Sequence, residues 1–374
     1  MNYQDFLQQK QQLYGNFGFT PTFMPDVLFG FQQALVEWSC LKGRSALFAD
    51  CGMGKTVTQL AWAQNVIERT NKPVLLLTPL SVGAQTIKEA HKFGIDAERS
   101  HDGKHSMKAR VVVANYEKLH LFNSKEFSGT VCDESSILKN FDGVTKDAVT
   151  EFMRLHPYRL LCTATAAPND FIELGTSSEA LGHLGFMDML SKFFKKSETT
   201  MSRKDEFRGG KYRFRGHAEK DFWRWVCSWA RAIRKPSDLG FSDEDFKLPP
   251  LNFDYHVVKS NTAPEGFLFD VPAVGLTEQR AERRRTLSER CERVAEIVNA
   301  SSESFVSWCY LNDESALLRK LIPDAVEVTG AQSDEEKEET FSAFSEKQIR
   351  AIVTKPTIAG FGMNWQHCAT MIFL

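Results

Sequence analysis

Leu47-Phe48-Ala49-Asp50-Cys51-Gly52-Met53-Gly54-Lys55-Thr56 is the stretch on which the fold turns. Three apolar residues, Leu47 to Ala49, lead into a glycine-rich turn. The run Thr56-Val57-Thr58-Gln59-Leu60-Ala61-Trp62-Ala63 then departs with helix-compatible residues. Strand, tight loop and helix in that order make an anion cradle: glycines such as Gly52 and Gly54 let successive backbone N–H groups point inward, and the new helix adds its positive end. Lys55 is placed to reach the β- and γ-phosphates of a nucleoside triphosphate, and the Thr56 hydroxyl to ligate Mg²⁺. The strict pattern G-x-x-x-x-G-K-[ST] has glycine where this chain has Ala49, so the match falls one residue short. The plain alternative is a chance Gly-Lys-Thr in a loop, and the strand–loop–helix context argues against it.

At 374 residues the chain is long enough for two domains with cores of their own. Its formal net charge of −2 does not advertise nucleic-acid binding by the molecule as a whole, so any basic surface is local. No apolar run approaches the ~18 residues of a membrane helix, and Met1-Asn2-Tyr3-Gln4-Asp5 has neither the basic start nor the apolar stretch of a signal peptide. The eight cysteines are scattered singly, with no C-x-x-C pair. Cys51, Cys132 and Cys162 each stand at an expected strand end, where a small buried thiol is the expected role. The reading is a reducing, cytoplasmic compartment, with no membrane and no structural zinc.

Upstream, Phe31-Gln32-Gln33-Ala34-Leu35-Val36-Glu37-Trp38 reads as a helix. Gln32 could present its amide to an adenine edge, donating and accepting at once, or be an ordinary solvated helix residue. Downstream, Pro73–Thr78 and Arg110–Glu117 are continuous apolar runs of the kind expected of parallel strands buried on both faces, and Val131–Glu134 and Arg159–Thr165 read as further strands. Strands separated by helical patterns imply an α/β fold with a parallel sheet, whose ligand sits beyond the carboxyl ends of the strands. Thr78, the pair Asp133-Glu134, and Thr163 with Thr165 all fall at such ends. Adjacent acids after a buried strand supply what a triphosphatase needs: one carboxylate behind Mg²⁺, and a second to orient or deprotonate the attacking water.

The order of these pieces resembles the superfamily 2 helicases. Phe31-Gln32, the Gly52–Thr56 loop, Thr78-Pro79-Leu80, Asn115-Tyr116-Glu117, Asp133-Glu134-Ser135-Ser136-Ile137-Leu138-Lys139-Asn140 and Thr163-Ala164-Thr165-Ala166-Ala167-Pro168-Asn169 are similar to its successive motifs. The Asp-Glu-x-x-x-x-Lys-Asn form, and Thr-Ala-Thr-x-x-Pro-Asn followed by Glu173-Leu174, look specifically Swi/Snf-like, the branch of duplex-DNA translocases. The resemblance implies two RecA-like P-loop domains, with parallel sheets and flanking helices, plus a helical insertion. It implies that Gln32 reads adenine, that Lys55 and Thr56 hold phosphate and Mg²⁺, and that Asp133 and Glu134 handle metal and water. Thr78 and Pro79 would touch a phosphate backbone, and Thr163 and Thr165 would couple the nucleotide site to DNA. Ser135-Ser136 departs from the family, which has Ala-His or similar there.

The expected organisation is an ATP-binding domain over 1–175, a helical and basic insertion over 176–250, and a second domain over 251–374. Lys192–Arg215 carries nine Lys or Arg against three acids, interleaved with Phe193, Phe194, Phe207, Tyr212 and Phe214. It reads equally as a DNA-phosphate surface and as a solvated basic loop. Phe222–Ala230 is too aromatic for an exposed helix, and Ala232–Pro236 resembles the passage out of the family's protrusion. A second sheet is expected from Asn252–Val258 onward, with one long charged helix over Glu278–Asn299 and strands over Ser304–Cys309, Ala325–Val328 and Ile349–Val353. Thr354-Lys355-Pro356-Thr357-Ile358-Ala359-Gly360-Phe361-Gly362-Met363-Asn364 resembles the family's fifth motif. Gly360 and Gly362 would there approach nucleotide, and Thr329, Lys355 and Asn364 nucleic acid.

The family continues with an arginine-bearing motif for which no segment after Asn364 remains, so the natural protein is expected to run beyond Leu374, and weak hydrolysis is expected of this chain alone. Its brevity suggests a bacterial, phage or prophage setting. The implied activity is an ATP-driven translocase on duplex DNA; a strand-separating DNA or RNA helicase, and a non-hydrolysing ATP-gated DNA-binding subunit of a larger restriction or defence complex, are the alternatives.

Overall fold

The computed structural model describes residues 15–106, 111–139, 143–196, 212–258, 275–360 and 362–374. Two compact units emerge: Met1–Pro79 with Gln85–Leu248, and Leu80–Ala84 with Pro249–Leu374.

In the first unit α1 (Gly30–Lys42) leads to β1 (Arg44–Ala49), and α2 (Lys55–Thr70) to β2 (Val74–Thr78). After α3 (Gly83–Lys92), which belongs to this unit from Gln85 on, come β3 (Ala97–Arg99), β4 (Val111–Asn115), β5 (Gly129–Asp133), α4 (Val144–Arg154) and β6 (Tyr158–Cys162). The sheet has seven strands in the order β3-β4-β2-β5-β6-β1-β9, where β9 is Ala230–Ile233, and every pairing is parallel. Alternation along the strands sends side chains to two cores. Ala46, Phe48, Leu75 and Leu77 face one, while Leu47, Ala49, Leu76 and Val113 face the other. A strand covered on both faces has no solvent side, which is why these segments read as unbroken apolar runs.

Helices α1 and α2 close the second of these faces through Phe31, Leu35, Leu60 and Trp62. The first is closed by α4 and by α5 (Leu174–Leu181), α6 (Phe186–Phe193) and α7 (Ala218–Trp229). The aromatic α7 packs as expected: Phe222, Trp225 and Trp229 are each at most 1% exposed. The apolar stretch Leu181–Phe194, helical by its sequence, is divided between α5 and α6 at Gly182, whose φ of 79° caps α5. Strand β9 follows α7 directly and pairs with β1 in the register Ala46↔Ala230 to Ala49↔Ile233. The segment expected to lead out of the insertion therefore returns a strand to the first sheet.

The second unit holds a four-stranded parallel sheet in the order β11-β12-β10-β13, with β10 Phe305–Trp308, β11 Ala325–Glu327, β12 Ala351–Thr354 and β13 Thr370–Phe373. Helices α8 (Leu276–Arg285) and α9 (Leu287–Asn299) replace the single long helix read from the sequence. They divide at Thr286, whose hydroxyl donates to the Glu282 carbonyl at 2.9 Å and accepts from Arg290 Nε at 3.1 Å. On α10 (Asn312–Leu321) the wholly buried Glu314 accepts from the N–H groups of Tyr310 and Leu311 and from Arg290, at 2.8, 2.9 and 2.7 Å. After α11 (Asp334–Ser345), Arg350 introduces β12 by pairing with Asp324 and donating to the carbonyls of Val298, Ser301 and Glu303. The expected strand over Asn252–Val258 does not form: the segment is irregular, with Tyr255 and Val257 86% and 90% exposed. Met371-Ile372-Phe373-Leu374 reads from the sequence as a buried strand; β13 forms over Thr370–Phe373 at the end of the strand order, with Met371 and Phe373 exposed. Among the described residues no helix is long and apolar enough to cross a membrane.

Candidate nucleotide site

The loop between β1 and α2 forms where expected. Gly52 and Gly54 have φ of 81° and 71°, a region open to glycine and costly for other residues. At Gly54 a side chain would also strike the Gln32 amide. Ala49, by contrast, lies in β1, paired with Ile233, and is not among the residues of positive φ. The position where the strict motif has glycine needs none here. No side chain caps the start of α2, which leaves its first N–H groups to the loop. Lys55 opens the helix and Thr56 follows it; Lys55 Nζ donates to the Ala49 carbonyl at 3.2 Å, curled over the loop it would share with phosphate. Cys51, expected to be buried, is exposed at the loop, whereas Cys132 and Cys162 are buried within their strands.

Gln32 is 3% exposed, and both ends of its amide are engaged: Oε1 accepts from the Phe29 N–H at 3.0 Å, and Nε2 donates to the Met53 carbonyl at 3.2 Å. It therefore braces the Gly52–Thr56 loop from behind.

Asp133 ends β5, two strands from β1, and is 5% exposed. Burial raises its pKa to about 6; the hydrogen bond from Gln59 works in the opposite direction, Glu134 raises it, and Lys55 lowers it. Gln59 Nε2 donates to Asp133 Oδ1 at 2.7 Å. Gln59 sits on α2 one turn beyond Lys55, so a single helix face presents both an ammonium and an amide to this carboxylate. The sequence reading did not single it out; its only signal is the four-residue spacing from Lys55. Tyr116 was also missed as a functional residue. From the turn after β4 its phenol donates to the Asp133 carbonyl at 2.6 Å, and burial raises its own pKa well above the ordinary value.

The next residue, Glu134, has φ of 48°, a left-handed conformation that costs a non-glycine residue ~1–3 kcal/mol and persists only where its surroundings impose it. Tyr116 holds the peptide in front of it. Thr163, 1% exposed at the end of β6, holds its side chain: Thr163 Oγ1 donates to Glu134 Oε2 at 3.1 Å and accepts from the Thr165 N–H at 3.1 Å. The backbone after β6 is thus tied to the second acid by a single hydroxyl.

The structure brings Gln32, Gly52, Gly54, Lys55, Thr56, Asp133, Glu134, Thr163 and Thr165 to one edge of the first sheet, at the carboxyl ends of β1, β5 and β6. At the end of β2, Thr78 is fully buried with no hydrogen-bond partner for its hydroxyl among the described residues, and Pro79 is half-buried. In the second unit Thr329 and Lys355 follow the paired ends of β11 and β12, and Lys355 Nζ donates to Asn312 Oδ1 at 2.6 Å. Gly360, Gly362 and Asn364 are exposed in the turn beyond the short helix α12 (Pro356–Ala359), with Gly362 at φ 70°. Asn140, Phe207 and Phe361 lie outside the described residues.

The donor set fits Mg²⁺: a hard ion that keeps most of its waters takes one or two carboxylates and a hydroxyl besides phosphate oxygens. Asp133 is a buried carboxylate at raised cost, oriented by an amide, and Thr56 stands at the head of the helix bearing that amide.

No protein-family model matches the chain, and no curated protein matches it. Among solved structures it is similar to the SWI2/SNF2 ATPase core of Sulfolobus solfataricus in complex with dsDNA, at 15% identity and a TM-score of 0.48, over 95% of this chain and 83% of that one. It is similar to the SWI2/SNF2 ATPase core domain of the same organism at 13% identity and a TM-score of 0.43, over 95% and 89% of the two chains. The UvsW helicase from bacteriophage T4 matches at 10% identity and a TM-score of 0.36, over 50% of this chain and 67% of that one. At these values, what the site can do rests on its own residues.

Proposed function

We propose that this chain is an ATP hydrolase of the superfamily 2 type, in which hydrolysis drives movement on duplex DNA. The observation that carries the reading is the left-handed Glu134 held by Thr163 beside a buried Asp133, on the same sheet edge as the Gly52–Thr56 loop. Lys55 and the N–H groups at the start of α2 would hold the phosphates, with Gly52 and Gly54 giving the backbone its approach. Thr56 and Asp133 would hold Mg²⁺, which when bound neutralises charge developing on the β- and γ-oxygens. Glu134 would orient the attacking water and accept its proton. Thr163 links that acid to the Thr165 backbone, a route by which its position can depend on what the following loop touches. The duplex partner rests on the Swi/Snf-like form of the motifs at Asp133–Asn140 and Thr163–Asn169, and a cytoplasmic setting on the eight singly scattered cysteines.

The test is steady-state ATP hydrolysis with and without duplex DNA, beside Lys55→Ala and Glu134→Gln. Duplex-stimulated turnover absent from both variants is the expected result. Tight ATP binding with no turnover under any nucleic acid would leave only an ATP-gated binding module.

A further inference from the structure

The hairpin of β7 (Phe194–Lys196) and β8 (Tyr212–Phe214) carries a charge arrangement that its own fold does not explain. Its strands pair antiparallel as Phe194↔Phe214, Lys195↔Arg213 and Lys196↔Tyr212. Two cations therefore stand directly opposite each other, a pairing that costs a sheet stability. Both are exposed, and among the described residues neither side chain has an ion-pair or hydrogen-bond partner. Arg215, two residues beyond Arg213 and so on the same face, is also exposed. Its Nε donates to the Phe194 carbonyl at 2.8 Å, which sets the plane of its guanidinium. Lys192, just before the hairpin, and Lys196, on the alternate face of β7, are exposed cations as well, and no acid occurs in 189–196 or 212–217.

The other face of the ribbon is bolted down. Phe194 and Phe214 stack at 4.6 Å between centroids, and both rings meet Phe222 of α7 at 5.4 and 5.2 Å. Phe214 also stacks on Phe171 at 6.3 Å, in the segment that follows the Thr163–Asn169 loop. The ribbon is thus a rigid, aromatic-backed strip that turns a purely cationic face outward. Because that face offers charge and forked donors without an apolar pocket, it suits a regular array of phosphates better than a peptide read by its side chains.

We propose that Lys195, Arg213 and Arg215 form a contact surface for the phosphate backbone of nucleic acid, outside the sequence motifs. The proposal rests on the duplex-DNA reading above and gives it a specific foothold on a chain whose net charge is −2. A bound phosphate backbone relieves the repulsion between Lys195 and Arg213, so the unfavourable pair becomes an anion clamp.

The test is duplex binding by fluorescence anisotropy between about 50 and 200 mM salt, for the full chain and for Lys195→Gln/Arg213→Gln. Lys72→Gln/Lys125→Gln, which removes two exposed charges near the amino ends of β2 and β5, is the charge-matched control. ATP binding by each variant reports that it is folded. The expected result is a salt slope smaller by about two in the hairpin variant and unchanged in the control. A slope equal to wild type in the hairpin variant overturns the proposal while leaving the duplex reading intact. Binding of polyglutamate that is lost in the hairpin variant while the duplex slope holds would assign the face to an acidic peptide, and also overturns it. Absence of duplex binding by the wild-type chain would remove the duplex reading and the proposal together.

Discussion

Thr163 Oγ1 lies 3.1 Å from Glu134 Oε2, and the same oxygen receives the Thr165 N–H. One hydroxyl thereby fixes the side chain of an acid whose backbone is already held left-handed. Thr163→Val keeps the shape and deletes both hydrogen bonds. The expected outcome is a fall in kcat of about ten- to a hundredfold with little change in ATP affinity. Glu134→Gln should fall further, by about 10²–10⁴, as removal of a proton acceptor does. Steady-state hydrolysis beside equilibrium ATP binding separates the two quantities.

Gln59 acts on the other carboxylate. Gln59→Met fills the same space without the amide and leaves Asp133 Oδ1 without its 2.7 Å partner. Groups that orient a metal ligand are worth about 10–100-fold in metal affinity. Nucleotide binding with Mg²⁺ should weaken by that factor, while binding in EDTA should not change. Titration of a fluorescent ATP analogue in both conditions measures it. Equal loss in both would make Gln59 a packing residue.

Tyr116→Phe removes the 2.6 Å hydrogen bond to the Asp133 carbonyl inside the core. A buried acceptor left unpaired costs about 1–3 kcal/mol. Chemical denaturation should show a loss in that range, together with reduced kcat, since the Asp133–Glu134 peptide loses its tether. Unchanged hydrolysis in a destabilised Tyr116→Phe protein would restrict the phenol to a structural role.

His183 links stability to pH. Its ring stacks on Trp229 at 6.1 Å and Nε2 donates to the Arg44 carbonyl at 3.0 Å. Burial lowers its pKa from 6.5 to about 4, and the cations Arg44, Arg159 and Lys42 push the same way. Between those values the unfolded chain takes up a proton that the folded chain refuses. Stability therefore falls as pH drops from 6.5 towards 4, by about 3 kcal/mol in the limit. His183→Gln, which retains a donor, should show a shallower loss over that window in denaturation series at fixed pH.

In the second unit the fully buried Glu314 is matched by Arg290 at 2.7 Å. Arg290→Met leaves that carboxylate with only two backbone N–H partners, and removal of one member of a buried pair costs about 3–5 kcal/mol. Glu314→Gln in the same chain should recover part of the loss. No recovery would show that the arginine's packing, rather than its charge, is what matters.

The legible part of this fold was its chemistry-bearing edge. Apolar runs ending in Thr78, Asp133 and Thr163 declared both the strands and the edge at which their polar residues gather, because a strand buried on two faces can place polar residues only at its ends. What stayed hidden was what depends on a neighbour. Gln59 looks like any helix glutamine until β5 is set beside α2, and Tyr116 like any core aromatic until the Asp133 peptide is placed above it. Phe253, Tyr255 and Val257 alternate as a strand should, yet alternation specifies a face and supplies no pairing partner. Cys51 was misplaced for a related reason: the apolar run stops at Ala49, and two residues later the chain is already in the exposed loop.

Ala230–Ile233 lies against β1 on the side opposite β6. The strand that leads into the Gly52–Thr56 loop is therefore an interior strand only because the chain travels through the aromatic helices and comes back. Excising 176–250 as though it were an ornament would strip β1 of a flank and bare a ragged seam beside the loop. Any shortened or chimeric version of this protein has to keep Ala230–Ile233, or supply a substitute strand, before the edge that carries Gly52–Thr56 can be judged.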